Sequence, residues 1–174
     1  MKILNIAKIE LSYLEEDFMH LVENTKKEKK SSFKKKFGID PDFLKSLNEI
    51  KRKEIDNLRK DRKYAAFIVE IYSLVEQTLE DLYKKIYNKR FSLPNNPDTK
   101  NLNKAIELEK ALKEKLNFDI SIKDTRLIKI RNKIVHESFS VKEVKTILNI
   151  DERSKDLIHS LIDAVNKYLN GISK

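Results

Sequence analysis

Three side chains suited to phosphate chemistry, Arg131, Asn132 and His136, lie within one short segment of the chain. If the segment is a helix, Asn132 and His136 share a face because they are four residues apart. Arg131 precedes His136 by five residues, which places the two about 140° apart around the helix axis, with a rise of roughly 7.5 Å. We therefore expect the pair to converge only where two copies of the helix meet across a two-fold axis.

These residue types fit the metal-independent cleavage of RNA, in which the ribose 2′-hydroxyl attacks the adjacent phosphate. The reaction needs a group that exchanges a proton near neutral pH, a role for which histidine is suited. It also needs a cation beside the phosphoryl oxygens, which the planar guanidinium of Arg131 would supply. Asn132 would orient the imidazole of His136 or hold a phosphate oxygen. Because DNA lacks the 2′-hydroxyl, this chemistry predicts a preference for RNA.

The surrounding sequence resembles the HEPN superfamily (higher eukaryotes and prokaryotes nucleotide-binding domains). The run Arg131-Asn132-Lys-Ile-Val-His136 has the form of the Arg-x(4–6)-His motif of HEPN ribonucleases, which often begins Arg-Asn. Upstream, the run YAAFIVEIYSLVEQTLEDLY is similar to an early HEPN helix in which an acidic residue interrupts an apolar stripe, and Glu76 is the matching residue. The resemblance extends over about residues 64–169.

The resemblance implies a four- or five-helix bundle in which Arg131 and His136 form the catalytic pair at a homodimer interface, with Asn132 and Glu76 as supporting residues. It also implies a role as a toxin, an abortive-infection protein or a phage-defence nuclease, with an antitoxin or defence-system protein as partner. One toxin branch has a Tyr two residues after the His, which its partner nucleotidyltransferase modifies. Ser138 stands at that position here, so control by that modification is not expected.

Other interpretations of these residues remain open. His136 would also stabilise the end of its helix as a cation, and Arg131 would also form a structural ion pair with Glu76 or Asp124. A HEPN-like module without catalytic activity would bind a nucleotide, RNA or a protein partner. A third interpretation is a helical interaction protein whose N-terminal residues dock a partner.

The composition excludes several other classes of protein. The chain has 174 residues, of which 40% are hydrophobic and 37% charged. Its 2 Gly and 3 Pro are too few for a β-sandwich or a glycine-rich phosphate loop. Without Cys there is no zinc–thiolate site, and the three His lack metal-ligand spacing. We expect no metal and no cofactor, and we expect His20 and His159 at the surface or at the core boundary.

The net charge of +9 is concentrated in one segment. Residues 26–36 contain one acidic residue, Glu28, and seven lysines: Lys26, Lys27, Lys29, Lys30, Lys34, Lys35 and Lys36. Such a segment would bind RNA phosphates through counterion release. It would equally serve as a solvated linker in a Lys-rich protein.

The apolar pattern predicts helices and no strands. Asp40 and Pro41 indicate the start of a long helix that either continues into a core helix or breaks near Asp61. Asp151 is expected to cap the last helix and Gly171 to end it. The remaining predicted helices cover residues 3–22, 64–87, 102–116, 122–137 and a short segment opened by Ser140.

These elements predict an all-α bundle, over residues 63–174, with an N-terminal helical extension over residues 1–62. Lys8 and Glu10 interrupt any signal-peptide core at the N-terminus. The most apolar run, residues 64–69, is far shorter than the ~20 residues of a membrane-spanning helix. We therefore expect a cytoplasmic protein that does not enter a membrane.

Overall fold

Every regular element of the described chain is a helix, which confirms the predicted all-α fold. The computed structural model describes residues 2–27, 41–93, 103–116, 118 and 120–172. In chain order the elements are α1 (Lys2–Lys27), α2 (Pro41–Tyr87), α3 (Lys104–Lys113), a 3₁₀ helix (Ile122–Thr125), α4 (Leu127–Lys133), a π-helical turn (Ile134–Ser138), α5 (Val141–Ile147) and α6 (Ser154–Ile172).

Helices α1, α2 and α6 meet in one core. Phe18 of α1 is fully buried, and its ring centroid lies 5.3 Å from that of Tyr64, 5.4 Å from that of Phe67 and 5.3 Å from that of His159. His159 is half-buried at the core boundary, whereas His20 is exposed on the outer face of α1. The first helix therefore contributes to the same buried cluster as the rest of the bundle.

Helix α2 is continuous from Pro41 to Tyr87, so the alternative of a break near Asp61 is wrong. The predicted domain boundary at 62/63 falls inside this helix. From Tyr64 onward, α2 buries a broad apolar stripe against the bundle, as its periodicity predicts. Residues 49–59 are all exposed. We call residues 49–63 the arm, because this part of α2 leaves the core and is surrounded by solvent along most of its length.

Helix α3 is joined to the following 3₁₀ helix by a buried carboxylate. Glu109 is 5% exposed and accepts hydrogen bonds from the backbone N–H of Ile122 at 2.6 Å and the hydroxyl of Tyr168 at 3.0 Å. Its other oxygen lies 3.1 Å from Nζ of Lys113. Burial and the adjacent carboxylate raise the pKa of the Tyr168 hydroxyl well above its usual value. This cluster fixes the start of the segment that leads into α4.

The predicted single helix over residues 122–137 is wrong, because the segment consists of three pieces. The 3₁₀ helix ends at Thr125, and the next residue, Arg126, has a φ of 61°, in the left-handed region. Helix α4 then begins at Leu127 and changes into the π-helical turn at Ile134. Residues in the left-handed region end a helix by redirecting the chain, which the apolar periodicity does not reveal.

Two predictions for the last helix are also wrong. Helix α6 begins at Ser154, and the carbonyl of Arg153 accepts from the N–H of Leu157 at 2.9 Å, so Asp151 is too far upstream to cap it. Gly171 lies within α6 rather than after it. A Cβ on Gly171 would lie 2.0 Å from Cδ1 of Ile120, so this glycine permits close packing between the helix and the preceding segment. The short helix opened by Ser140 is confirmed, since Ser140 Oγ accepts from the N–H of Glu143 at 3.1 Å.

Among the described helices, none is both long enough and apolar enough to cross a bilayer. After α2, the chain is described as far as residue 93. Most of the Lys-rich segment, from Glu28 to Lys36, lies outside the described residues, and α1 ends at Lys27. The predicted contact of this segment with RNA therefore stays a prediction.

Candidate functional site

Helix α4 is fixed by its apolar face, which points the polar residues away from the core. Leu127, Ile130 and Ile134 are fully buried, as their spacing on one face predicts. The helix packs against α2. Arg131 and Asn132 are half-buried at the edge of this contact. The packing of α4 thus determines which part of α2 Arg131 can reach.

Arg131 rests on an aromatic ring of α2. The centre of its guanidinium lies 4.6 Å from the ring centroid of Tyr72, in cation–π geometry. Its Nη1 donates to Oδ1 of Asn132 at 3.1 Å. Its Nε is buried and has no hydrogen-bond partner among the described residues. An unpaired buried donor costs about 1–3 kcal/mol, so groups of this kind are uncommon in native proteins.

Tyr72 is itself held by a polar network. Its hydroxyl donates to Oε2 of Glu76 at 2.8 Å and lies 3.3 Å from Oδ1 of Asn103, the residue that caps α3. Nζ of Lys104 lies 3.8 Å from Oε1 of Glu76 and pairs with Glu80. Burial, reinforced by the hydrogen bond to Glu76, raises the pKa of Tyr72 to about 12. The ring beneath Arg131 is therefore neutral and firmly oriented.

Glu76 reaches Arg131 only through this tyrosine. Among the described residues, Arg131 forms an ion pair with neither Glu76 nor Asp124, the two partners considered in the sequence. Asp124 is exposed on the 3₁₀ helix. Glu76 therefore supports the tyrosine ring beneath Arg131 and does not neutralise the charge of the guanidinium.

His136 lies in the π-helical turn and is exposed. The turn is closed by the N–H of Phe139, which donates to the carbonyl of Ile134 at 2.8 Å, and Phe139 has a φ of 47°. On the same turn, Lys133 pairs with Glu137. Within the described part of the chain, the imidazole forms no hydrogen bond or ion pair. Single π-helical turns occur frequently at functional sites.

One chain does not bring Arg131 and His136 into contact among the described residues. The π-helical turn rotates less per residue than an α-helix, so the angle between the two side chains is smaller than the 140° expected. Even so, Arg131 faces α2 while His136 faces solvent. Val135 and Phe139, beside His136, are apolar yet 42% and 45% exposed.

Tyr72 is the residue that the sequence pattern does not reveal. The predicted apolar stripe of α2 does not include it, although it is 4% exposed. The available signal is its position four residues before Glu76, a spacing at which side chains on a helix meet. Its contact with Arg131 joins residues that are distant in sequence, which no local pattern indicates.

A separate depression of about 390 Å³ lies on another side of α4. Arg126, Lys129 and Glu152 are among its lining residues, whereas Arg131 and His136 are not. Arg126 donates to Glu152 at 3.0 Å, and this bond lowers the pKa of the Glu152 carboxyl. This ion pair joins two residues that line the depression, which is not part of the Arg131 site.

No three His, Asp or Glu side chains of the described residues are close enough together to hold a metal ion. Comparison of the chain with known protein families, with curated proteins and with solved structures gave no match.

Proposed function

We propose that this chain is a metal-independent endoribonuclease of the HEPN type, acting in toxin–antitoxin or anti-phage defence. The observation that supports it is the contrast between the two motif residues. Arg131 is held on the ring of Tyr72 with a buried Nε that has no partner among the described residues, whereas His136 is exposed on a π-helical turn. A cation held in advance and an accessible proton-transfer group are the two requirements of the reaction.

In this proposal the complete site forms between two copies of the chain. Arg131 of one subunit and His136 of the other face one phosphodiester, and the apolar side chains of Val135 and Phe139 become buried at the contact. A symmetric pair of chains then carries two equivalent sites. An antitoxin or a defence-system protein would restrain the activity by covering this surface.

The chemistry follows from the roles of the two side chains. A base removes the proton of the 2′-hydroxyl, whose oxygen attacks phosphorus while the bond to the 5′-oxygen breaks. The leaving oxygen takes up a proton, so the products are a 2′,3′-cyclic phosphate and a 5′-hydroxyl. His136 serves as the general acid or base, and Arg131 stabilises the negative charge that grows on the phosphoryl oxygens. Asn132 holds the guanidinium through its Oδ1.

The test is cleavage of single-stranded RNA in the presence of EDTA. We expect the wild-type chain to release cyclic-phosphate ends, and His136→Ala to cleave more slowly by a factor of about 10²–10⁴. His20→Ala is the control, because His20 is exposed on α1 and distant in sequence from the motif. Equal cleavage by the wild type and His136→Ala would remove the proposed acid/base.

A second candidate is a non-catalytic HEPN module that binds RNA, a nucleotide or a protein partner. The packing of Arg131 on Tyr72 favours it, because an arginine engaged in this way also serves a purely structural role. This alternative would be identified if the chain bound the same RNA without cleaving it and released it as the salt concentration rose.

A further inference from the structure

One sector of the arm of α2 carries cations and no carboxylate. At 100° per residue, five cations fall within a sector of about 120°, together with Ile55. The four carboxylates of the arm, Glu49, Glu54, Asp56 and Asp61, all lie outside this sector. We call the sector the basic face; its cations, all exposed, are Lys51, Arg52, Arg59, Arg62 and Lys63.

The basic face is enriched in arginine. The 37 basic residues of the chain are overwhelmingly lysines, and three of its few arginines, Arg52, Arg59 and Arg62, are on this face. Arginine binds phosphate with two parallel N–H donors in a fixed plane, which the lysine ammonium does not match. A face that merely kept the helix in solution would show the lysine bias of the rest of the chain.

The arm is rooted beside the candidate site. Oδ1 of Asp61 accepts a hydrogen bond from the backbone N–H of Lys142 at 3.0 Å, at the start of α5 and directly after the turn that carries His136. On α2, Arg62 and Glu76 are about 40° apart around the axis and roughly 21 Å apart along it. Glu76 therefore lies about 20° beyond the edge of the basic face, whereas Tyr72 lies about 60° beyond it, on the line of Glu54.

We propose that the basic face of the arm binds the phosphate backbone of single-stranded RNA, while the arm itself is rooted beside the turn that carries His136. Cleavage of the bound strand rests on the proposed function, whereas RNA binding by the arm does not. An anionic membrane is a poorer fit. Ile55 and Leu58 are the apolar residues on or beside this face, and an interfacial helix needs a broad apolar face.

The experiment measures binding of fluorescein-labelled oligouridylate as a function of salt, with His136→Ala in every chain so that cleavage cannot interfere. Removing three phosphate contacts by Arg52→Gln, Arg59→Gln and Arg62→Gln should reduce the slope of log K against log salt by about 2. At ~0.1 M salt this corresponds to roughly 100-fold weaker binding. The control carries Lys84→Gln, Lys85→Gln and Lys89→Gln, the same charge loss at exposed positions near the other end of α2.

An equal loss of affinity in the arm and control variants would overturn the proposal, since net charge alone would then explain binding. The proposal would also be overturned if the arm variant kept its full affinity for RNA and lost affinity only for vesicles of anionic phospholipid or for an acidic protein. A reduced slope in the arm variant alone supports it, whether or not the wild-type chain cleaves RNA. Failure of the proposed nuclease activity is thereby distinguished from failure of the arm to bind.

Discussion

Arg131 owes its orientation to a side chain from another helix. Its guanidinium is stacked on Tyr72, and the hydroxyl of Tyr72 is bound to Glu76. Three residues on two helices thus act as a unit, in which each fixes the next. A catalytic cation needs this kind of support, because a misplaced charge stabilises a transition state poorly.

Tyr72 should make the protein less stable as the pH rises into the alkaline range. Its pKa is raised to about 12 in the folded chain from an ordinary value of 10.0. The folded state therefore holds the proton more tightly, and the free energy of unfolding falls as pH rises between these values. In urea unfolding at several pH values, Tyr72→Phe should show a smaller fall than the wild type.

At neutral pH, Tyr72→Phe should lower the free energy of unfolding by about 1 kcal/mol, because it loses one hydrogen bond but keeps the ring beneath Arg131. An identical loss of stability in both proteins across the alkaline range would contradict the assignment. It would mean that other groups, such as Tyr168, whose pKa is also raised, account for the whole effect.

At the scale of elements, the segment before α4 is held by a carboxylate and not by apolar packing alone. Glu109 of α3 bonds the first N–H of the 3₁₀ helix and the hydroxyl of Tyr168 on α6. A short 3₁₀ helix has few hydrogen bonds of its own. The position of α4, and hence that of Arg131, depends on this connection.

Glu109→Ala should therefore lower the free energy of unfolding by about 3 kcal/mol, because it leaves Lys113, the Ile122 N–H and the Tyr168 hydroxyl without their partner. Glu109→Gln keeps an acceptor oxygen and should cost less. The control is Glu107→Ala, which removes an ion pair with Lys110 at the surface. It should lower the free energy of unfolding by less than about 1 kcal/mol. Chemical denaturation of the three variants is the measurement, and equal losses at both positions would contradict the role given to Glu109.

At the scale of the whole molecule, the proposed site requires two chains. An equal mixture of Arg131→Ala and His136→Ala chains tests this directly. In a mixed dimer, one site receives both substitutions and the other receives neither. After subunit exchange, RNA cleavage should recover to roughly one quarter of the wild-type rate, because half of the dimers are mixed and each has one intact site.

The measurement is the rate of RNA cleavage before and after mixing, with each variant alone as the control. No recovery, despite subunit exchange shown by labelled chains, would mean that both residues act within one chain. The exposed side chains of Val135 and Phe139 would then need another explanation.

Much of the fold could be predicted from local patterns of apolar residues in the sequence. The helices α1, α2, α3 and α6 are close to their predicted ranges because an amphipathic repeat records which face is buried. The error over residues 122–137 arises where the chain departs from regular geometry. Arg126 is in the left-handed region and a π-helical turn begins at Ile134, and residues that tolerate such geometry have no distinctive spacing.

The all-helical class, the apolar faces and the five-residue separation of Arg131 and His136 follow from the sequence, because they depend on near neighbours along the chain. The folded structure adds three contacts: Tyr72 lies beneath Arg131, α1 joins the common core, and Glu109 secures the approach to α4. Each of these contacts joins residues distant in sequence. Such contacts are selected by the shape and polarity of whole packed surfaces, which no local repeat encodes.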